Sequence, residues 1–359
     1  MSKVRVGIIG CGGIANGKHM PSLSKVKEAE MVAFCDIVVE RAEEAKAKYG
    51  NSDAKVYSDY KELLKDSSID VVHVCTPNDA HAVISIDAME ADKHVLCEKP
   101  MAKTAEDARR MLAVAQKTGK KLSIGYNNRF RPDSRVLKQV CESGELGEVY
   151  FAKAHAIRRR AVPTWGVFLD EEKQGGGPLI DIGTHALDLV LWMMDNYKPK
   201  VVLGRAYHKL SQTENAANAW GPWDPKEFTV EDSAFAMITM ENGASIVLES
   251  SWALNSLDID EAKVTLCGTK AGADMKSGLR INGEENSRLY VKNIELNSGG
   301  VAFYDGASED PAELEARAWI DSVLNDKELI VKPEQALVVS EILEAIYESS
   351  RTGKAVYMN

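Results

Sequence analysis

Two groups of residues in this 359-residue chain have the types and spacing of reaction chemistry. The first is Lys99, set between Glu98 and Pro100 directly after the apolar run His94–Cys97. A lysine there stands at the carboxyl end of a buried strand, where open α/β sheets bind their ligands. The second group is Asp181, His185 and Asp188, spaced i, i+4 and i+7 along the otherwise apolar run Leu179–Met194. On a helix the three project to nearly one side. Polar groups on so apolar a helix need partners or a cleft. These types suit oxidation of a carbinol, whose carbon releases hydride only as its hydroxyl loses a proton. His185 takes that proton near neutral pH. Lys99 hydrogen-bonds the same oxygen and stabilises the developing alkoxide. Asp181 positions a substrate hydroxyl or holds the His185 tautomer. The residues leave open whether Lys99 or His185 is the terminal proton acceptor. Competing readings are a solvated loop lysine, a buried structural Asp–His pair, and His and Asp sharing a metal ion. No second cluster of His, Cys or carboxylates supplies further ligands, so no metal is expected. Gly175-Gly176-Gly177, just before the helix, is expected to let a substrate approach closely.

Such chemistry needs a hydride acceptor, and the N-terminus carries the means to bind one. Gly10-Cys11-Gly12-Gly13-Ile14-Ala15 follows an apolar run and opens a helical one, matching G-x-G-x-x-A. Gly10 permits the tight turn, Gly12 lets backbone approach a pyrophosphate, and Ala15 keeps helix and strand close. The amides of Gly13 and Ile14 belong to the helix start that faces the phosphates. Asp36 ends the second apolar run about twenty residues on, where a ribose-binding acid is expected. Its carboxylate accepts both ribose hydroxyls and repels a 2′-phosphate, and the following Ile37 offers no clamp for one. NAD is therefore expected before NADP, with Arg41 as the reservation. Asp36 also reads as a helix N-cap, and the two roles are compatible.

The elements that must hold these residues read as two domains, since one core rarely exceeds about 250–300 residues. Apolar runs Val4–Ile9, Met31–Cys35, Val71–Cys75, His94–Cys97 and Lys121–Gly125 alternate with helical stretches Ile14–Val26, Val39–Tyr49, Ala80–Ala91 and Ala105–Lys117. That rhythm predicts a doubly wound parallel Rossmann sheet over residues 1–125. Residues 126–359 follow another rhythm. Helices are expected over Asp133–Glu142, Leu179–Met194, Pro311–Leu324 and Pro333–Ser350. Strands are expected over Val149–Ile157, Val201–His208, Ser233–Met240, Ser245–Trp252, Ala262–Cys267 and Arg288–Leu296, joined by short turns. That predicts an α+β domain on a mostly antiparallel sheet. The chain has 44 basic and 54 acidic residues, a net charge of -10, and no polybasic run. Nucleic acid and membrane surfaces are excluded as partners on that ground. The six cysteines show no C-x-x-C spacing, so a reducing cytoplasm is expected.

Taken in order, these motifs resemble the Gfo/Idh/MocA oxidoreductases. The resemblance covers most of the chain. It rests on Gly10–Ala15, Thr76-Pro77-Asn78 with His81, Glu98-Lys99-Pro100, Gly175-Gly176-Gly177, and Asp181, Gly183, His185 and Asp188. It implies a Rossmann domain followed by an α/β domain with a large open sheet, whose face often builds homodimers or homotetramers. It implies oxidation or reduction of a carbinol on a sugar or polyol, with Lys99 in catalysis. It also implies that Glu98 contacts the nicotinamide-side ribose and that Thr76, Pro77, Asn78 and His81 line the cofactor. Asn127, in Tyr126–Phe130 at the domain junction, is expected near the nicotinamide, and Trp165 at cofactor or substrate. Trp220 and Trp223 read as a pocket edge or an oligomer contact. Arg158-Arg159-Arg160 is unusual in an acidic chain, and an anion-binding role competes with a solvated face. The alternative function is a non-catalytic NAD(P) sensor of the same fold. Retention of Lys99, Asp181 and His185 favours the enzyme. A redox-neutral glycosidase of the same family carries a histidine-rich glycine loop, which this chain lacks.

Overall fold

The structure, a computed structural model, describes residues 3–296 and 310–358. They fall into two compact units, residues 3–130 with 310–337, and residues 131–296 with 338–358.

The first unit runs β1 (Val4–Ile9), a helix ending in α1 (Met20–Leu23), β2 (Ala29–Cys35), α2 (Val39–Tyr49), β3 (Lys55–Tyr57), α3 (Tyr60–Leu64), β4 (Val71–Val74), α4 (Asn78–Glu90), β5 (His94–Cys97), α5 (Ala105–Thr118) and β6 (Leu122–Ile124). All neighbouring strands are parallel, in the order β3-β2-β1-β4-β5-β6. The order reverses between β1 and β4, and the carboxyl ends of those strands border the ligand crevice of such sheets. The apolar runs form strands because helices cover both faces of the sheet, as in the wholly buried β4. Residue chemistry also sets the helix limits. The Thr104 hydroxyl accepts the Asp107 N–H at the start of α5, and Gly119 ends it at φ +67°.

Sequence periodicity did not foresee β3 and α3, whose short, half-polar segments carry little pattern. Nor did it foresee the interruption of the expected Ile14–Val26 helix. Ala15–His19 form a π-turn, in which the Met20 N–H donates to the Ala15 carbonyl.

The second unit contains α6 (Pro132–Glu142), β7 (Val149–Ile157), α7 (Glu171–Gln174), α8 (Thr184–Met194), β8 (Pro199–Tyr207), β9 (Ser233–Met240), β10 (Ser245–Ser251), β11 (Asp260–Gly268), β12 (Ala271–Asp274), β13 (Arg280–Glu285) and β14 (Arg288–Asn293). Two helices follow, α9 (Pro311–Leu324) and α10 (Pro333–Thr352), then β15 (Val356–Tyr357). The nine strands are ordered β14-β13-β12-β11-β7-β10-β9-β8-β15. All pairs are antiparallel except β7 with β10. One face is closely packed. Ala152, Ala154 and Ala156 of β7 are fully buried, and α8 lies against β7 and β11. Small residues there let the helix axis come near the sheet.

α9 belongs to the first unit, where Ala316, Trp319 and Ile320 share a core with Val4, Val6, Ile8 and Phe34. The expected division into residues 1–125 and 126–359 did not include this return. It is driven by burial of the apolar α9 face.

Candidate active site

The expected site residues fall in both units. In the first, the fingerprint loop joins β1 to the following helix. Gly10 has φ +89°, and a Cβ on it would lie 2.6 Å from the Cys75 carbonyl oxygen, so only glycine fits this turn. Gly12 and Gly13 face open space, and a Cβ on either would meet no atom within 4 Å. Ala15 is completely buried, while Ile14 is partly exposed beside the loop. Asp36 Oδ2 accepts the Cys11 N–H at 2.8 Å and Oδ1 accepts the Val38 N–H at 2.9 Å. The carboxylate thus braces the loop and the approach to α2, and each oxygen retains acceptor capacity. Ile37 is 91% exposed. Burial, with Asp36 nearby, pushes the Cys11 and Cys35 thiols up to about 12, so both stay protonated.

The loops after β4 and β5 supply the rest. Pro77 is exposed, and the Thr76 hydroxyl is a buried polar atom without a hydrogen-bond partner among the described residues. Asn78 is buried at the start of α4. His81 is not arranged as expected. It is completely buried, with Nε2 2.9 Å from the Thr76 carbonyl oxygen and Nδ1 2.8 Å from that of Pro100. It ties the two loops together and presents no surface to a dinucleotide. Burial lowers its pKa. Asn127 is half-buried in a short 3-10 turn, Asn127–Phe130. In that turn Arg129 is buried and donates to the Ile330 carbonyl at 2.8 Å and to Gln335 at 2.7 Å.

Lys99 is half-buried, but Glu98 before it is buried within a network of charges. Lys18 Nζ lies 2.5 Å from Glu98 Oε1 and 3.2 Å from Glu315 Oε2 of α9. His19 Nε2 lies 2.7 Å from the same Glu98 oxygen, and its Nδ1 lies 3.0 Å from His73 Nδ1. One tautomer assignment accounts for these contacts, leaving His73 Nε2 buried without a hydrogen-bond partner among the described residues. His73 Nδ1–H donates to His19 Nδ1, and His19 Nε2–H donates to Glu98. Burial holds His73 well below the ordinary histidine value, as that neutral form requires. Burial alone would raise the Glu98 pKa, but Lys18 and His19 outweigh it and hold the carboxyl well below its usual range. The sequence pointed to Glu98 and passed over Lys18, His19, His73 and Glu315. Lys18 and His19 show in the sequence only as two adjacent polar residues past the fingerprint, and His73 and Glu315 carry no local signal.

In the second unit, Asp181 lies within a second π-turn and His185 just past it, in α8. Leu179–Gly183 are wound this way, and the Thr184 N–H donates to the Leu179 carbonyl. The simple i, i+4, i+7 face is thereby broken. Asp181 and His185 keep partial exposure, whereas Asp188 is completely buried. Asp181 Oδ2 accepts the Trp252 indole N–H at 3.0 Å and lies 3.9 Å from Arg158 Nη1. Arg158 is no open anion site. Its Nε and Nη2 each donate to a Glu261 carboxylate oxygen at 2.6 Å. Arg160 donates to Asn255 at 2.6 Å, and the Arg159 carbonyl accepts the Leu254 N–H.

The glycine lead-in is close-packed against the protein itself rather than kept clear for a substrate. A Cβ at Gly176 would sit 1.9 Å from the Tyr347 hydroxyl, and one at Gly177 would sit 2.3 Å from the Glu231 carbonyl oxygen. Glu231, which sequence reasoning missed, caps the helix start. It accepts the Gly177 and Leu179 N–H groups at 2.8 and 3.0 Å and the Tyr347 hydroxyl at 3.0 Å. Burial nevertheless raises its pKa to about 7. Trp165 is 52% exposed, whereas Trp223 is buried with its indole N–H on the Ser211 carbonyl. Among the described residues, no group of three or more His, Cys, Asp or Glu is placed to hold a metal ion.

A Rossmann sheet with a dinucleotide fingerprint, followed by an open-sheet domain, defines a class of nicotinamide-dependent oxidoreductases. Comparison with known proteins places the chain within it. Residues 4–126 match the model of an oxidoreductase family with an NAD-binding Rossmann fold, and residues 138–358 match the C-terminal alpha/beta domain of that family. The chain belongs to the Gfo/Idh/MocA family of oxidoreductases. It is 37% identical over 356 residues to a D-glucoside 3-dehydrogenase of Escherichia coli, covering 99% of this chain and 97% of that one. It is 33% identical over 197 residues to an inositol 2-dehydrogenase of Salmonella typhimurium, covering 54% and 56% of the two chains. The fold matches an oxidoreductase domain protein from Kribbella flavida with a TM-score of 0.85, at 22% identity and full coverage of both chains.

Proposed function

We propose that the protein oxidises a secondary hydroxyl of a sugar or polyol with NAD as acceptor. The observation that carries this is the setting of Lys99. It stands at the carboxyl edge of a parallel sheet, directly after a glutamate that buried charges lock in place. Resemblance over nearly the whole chain to a D-glucoside 3-dehydrogenase supports the substrate class. The open space over Gly12 and Gly13 and the brace at Asp36 fit a dinucleotide. Gly12, Gly13 and Ile14 would face its pyrophosphate, and Asp36 its adenosine ribose. Thr76, Asn78, Glu98 and Asn127 would lie along its nicotinamide half. Nicotinamide, when bound, supplies the two-electron acceptor.

This chain's own residues manage the proton and the orientation. Lys99 and His185 hold the reacting hydroxyl oxygen and take its proton as the C–H bond breaks. Asp181, fixed by Trp252 and beside Arg158, accepts from a neighbouring substrate hydroxyl. The Asp36 carboxylate, which repels a 2′-phosphate, followed by the exposed apolar Ile37, favours NAD over NADP. Residues 1–125 serve the cofactor, and residues 126–359, apart from the return of α9 to the first unit, the substrate and assembly. We place the protein in a reducing compartment, the cytoplasm, since all six cysteines are free. The outer sheet face of β8–β10 joins a second copy into a homo-oligomer.

The test is a panel of sugars and polyols followed by NADH absorbance. Lys99→Met and His185→Asn should each cut turnover by about 10²–10⁴ while leaving NADH affinity nearly intact. The two losses should not add fully, because both act on one proton transfer. Wild-type-like turnover in both variants overturns the assignment. A sensor would show no turnover in any variant.

A further inference from the structure

We propose that Trp165 and Trp220 form a stacking platform for the part of a glycoside beyond the reacting ring, an aglycone or a second sugar. This rests on the sugar-oxidising reading above and narrows its substrate class. Both indoles are open, at 52% and 46% exposure, and their rings meet edge to face with centroids 4.9 Å apart. They form a corner rather than a flat wall, which Phe168 extends at 5.9 Å from Trp165.

The pair is rigidly mounted. The Ala219 N–H donates to the Arg160 carbonyl. Asn218 accepts the Val162 N–H at 2.8 Å and donates to the carbonyls of Val162 at 2.9 Å and Gly221 at 2.8 Å. The Thr164 hydroxyl donates to the Trp220 carbonyl at 2.9 Å. Folding does not require open indoles here, since Trp223 and Trp252 already fill the adjacent core.

The platform also adjoins the Asp181 side chain. The Arg158 guanidinium lies 5.6 Å from the Trp220 ring centroid and 3.9 Å from Asp181. A pyranose has an apolar C–H face and a polar rim of hydroxyls. An indole face matches the first, and the partly exposed Asp181 carboxylate, as a hydrogen-bond acceptor, matches the second. With one ring at Asp181, the next group along the glycosidic bond meets Trp220.

The test compares phenyl glucoside and a glucose disaccharide with methyl glucoside. Trp220→Ala should lower the ratio of kcat/KM for the larger substrates over methyl glucoside about tenfold, through KM, and Trp220→Phe should restore most of it. Equal losses on all three substrates, or no loss, overturn the platform. So does a changed oligomeric state of Trp220→Ala, which would assign the pair to a contact between copies. Should no sugar be turned over by the wild type, the sugar-oxidising reading fails. The platform is then judged separately, by calorimetric titration of phenyl glucoside into the NADH-loaded protein. Binding weakened by Trp220→Ala sustains it, and absent or unchanged binding overturns it.

Discussion

Single residues in this chain often serve two purposes, and Asp36 is the clearest. It was legible from sequence as the acid ending the second strand. Its hydrogen bonds to the Cys11 and Val38 N–H groups were not, because they depend on how β1 and β2 lie side by side. Both purposes enter the prediction for Asp36→Ser with Ile37→Arg. Removing the carboxylate relieves repulsion of a 2′-phosphate, and the arginine, at a 91% exposed position, adds a partner for it. Cofactor preference should shift towards NADP. Affinity for both cofactors should also fall, since serine cannot brace the loop on both sides. Steady-state kcat/KM with each cofactor checks this, and an unchanged ratio removes Asp36 from the ribose. His81 shows the limit of residue reading. Its position past Thr76-Pro77-Asn78 matches a cofactor loop, yet a wholly buried ring between two carbonyl oxygens is a strut.

At the scale of elements, both π-turns fall where α-helical spacing places functional residues. Each inserts an extra residue into a turn and rotates the rest of the helix, and such turns are frequent at functional sites. Sequence periodicity found both helices and could not find the turns. The first bears Lys18 and His19 in the buried network around Glu98. Lys18→Met removes the cation and leaves the Glu98 and Glu315 carboxylates buried together. Breaking one partner from such a set costs about 3–5 kcal/mol. Urea unfolding should show a loss of that size, and a loss under about 1 kcal/mol would mean the carboxylates find other partners. The second π-turn is capped at its start by Glu231, which accepts the Gly177 and Leu179 N–H groups. The folded pKa of Glu231, about 7, lies above the ordinary 4.5, so the folded state holds an extra proton between those values. That contribution is present in full below about 4.5 and is lost as pH rises through about 7. Glu231→Gln lacks this titration. The wild type's stability relative to Glu231→Gln should therefore decline from pH 4.5 to pH 7, read as the difference in urea midpoints. A constant difference would show that the three hydrogen bonds hold the carboxylate charged throughout.

For the molecule as a whole, the strands β8–β10 were legible in the sequence, whereas strand order was not. β10 lies parallel to β7, far back in sequence, and short turns do not encode that pairing. Register shows how the two faces of β8–β10 divide. Leu203, Met237 and Val247 form one row across β8, β9 and β10, and Arg205, Phe235 and Glu249 form the next. Leu203 and Met237 are 52% and 49% exposed, while the opposite face holds fully buried Val202, Ile238, Ile246 and Leu248. A sheet with one packed face and one open apolar face calls for a cover. A second copy suits it, because Arg205 and Glu249 at the two ends of one row become complementary when a two-fold axis lays the face against itself. Burying such rows on both copies would draw on about 25 cal/mol per Å² of apolar area. Met237→Asp sets a carboxylate in the centre of that face without touching the packed side. If the face joins copies as proposed, the wild type should be an oligomer and Met237→Asp a monomer in light scattering at micromolar concentration, with unchanged far-UV circular dichroism. An oligomer of the same mass would place the contact elsewhere on the chain.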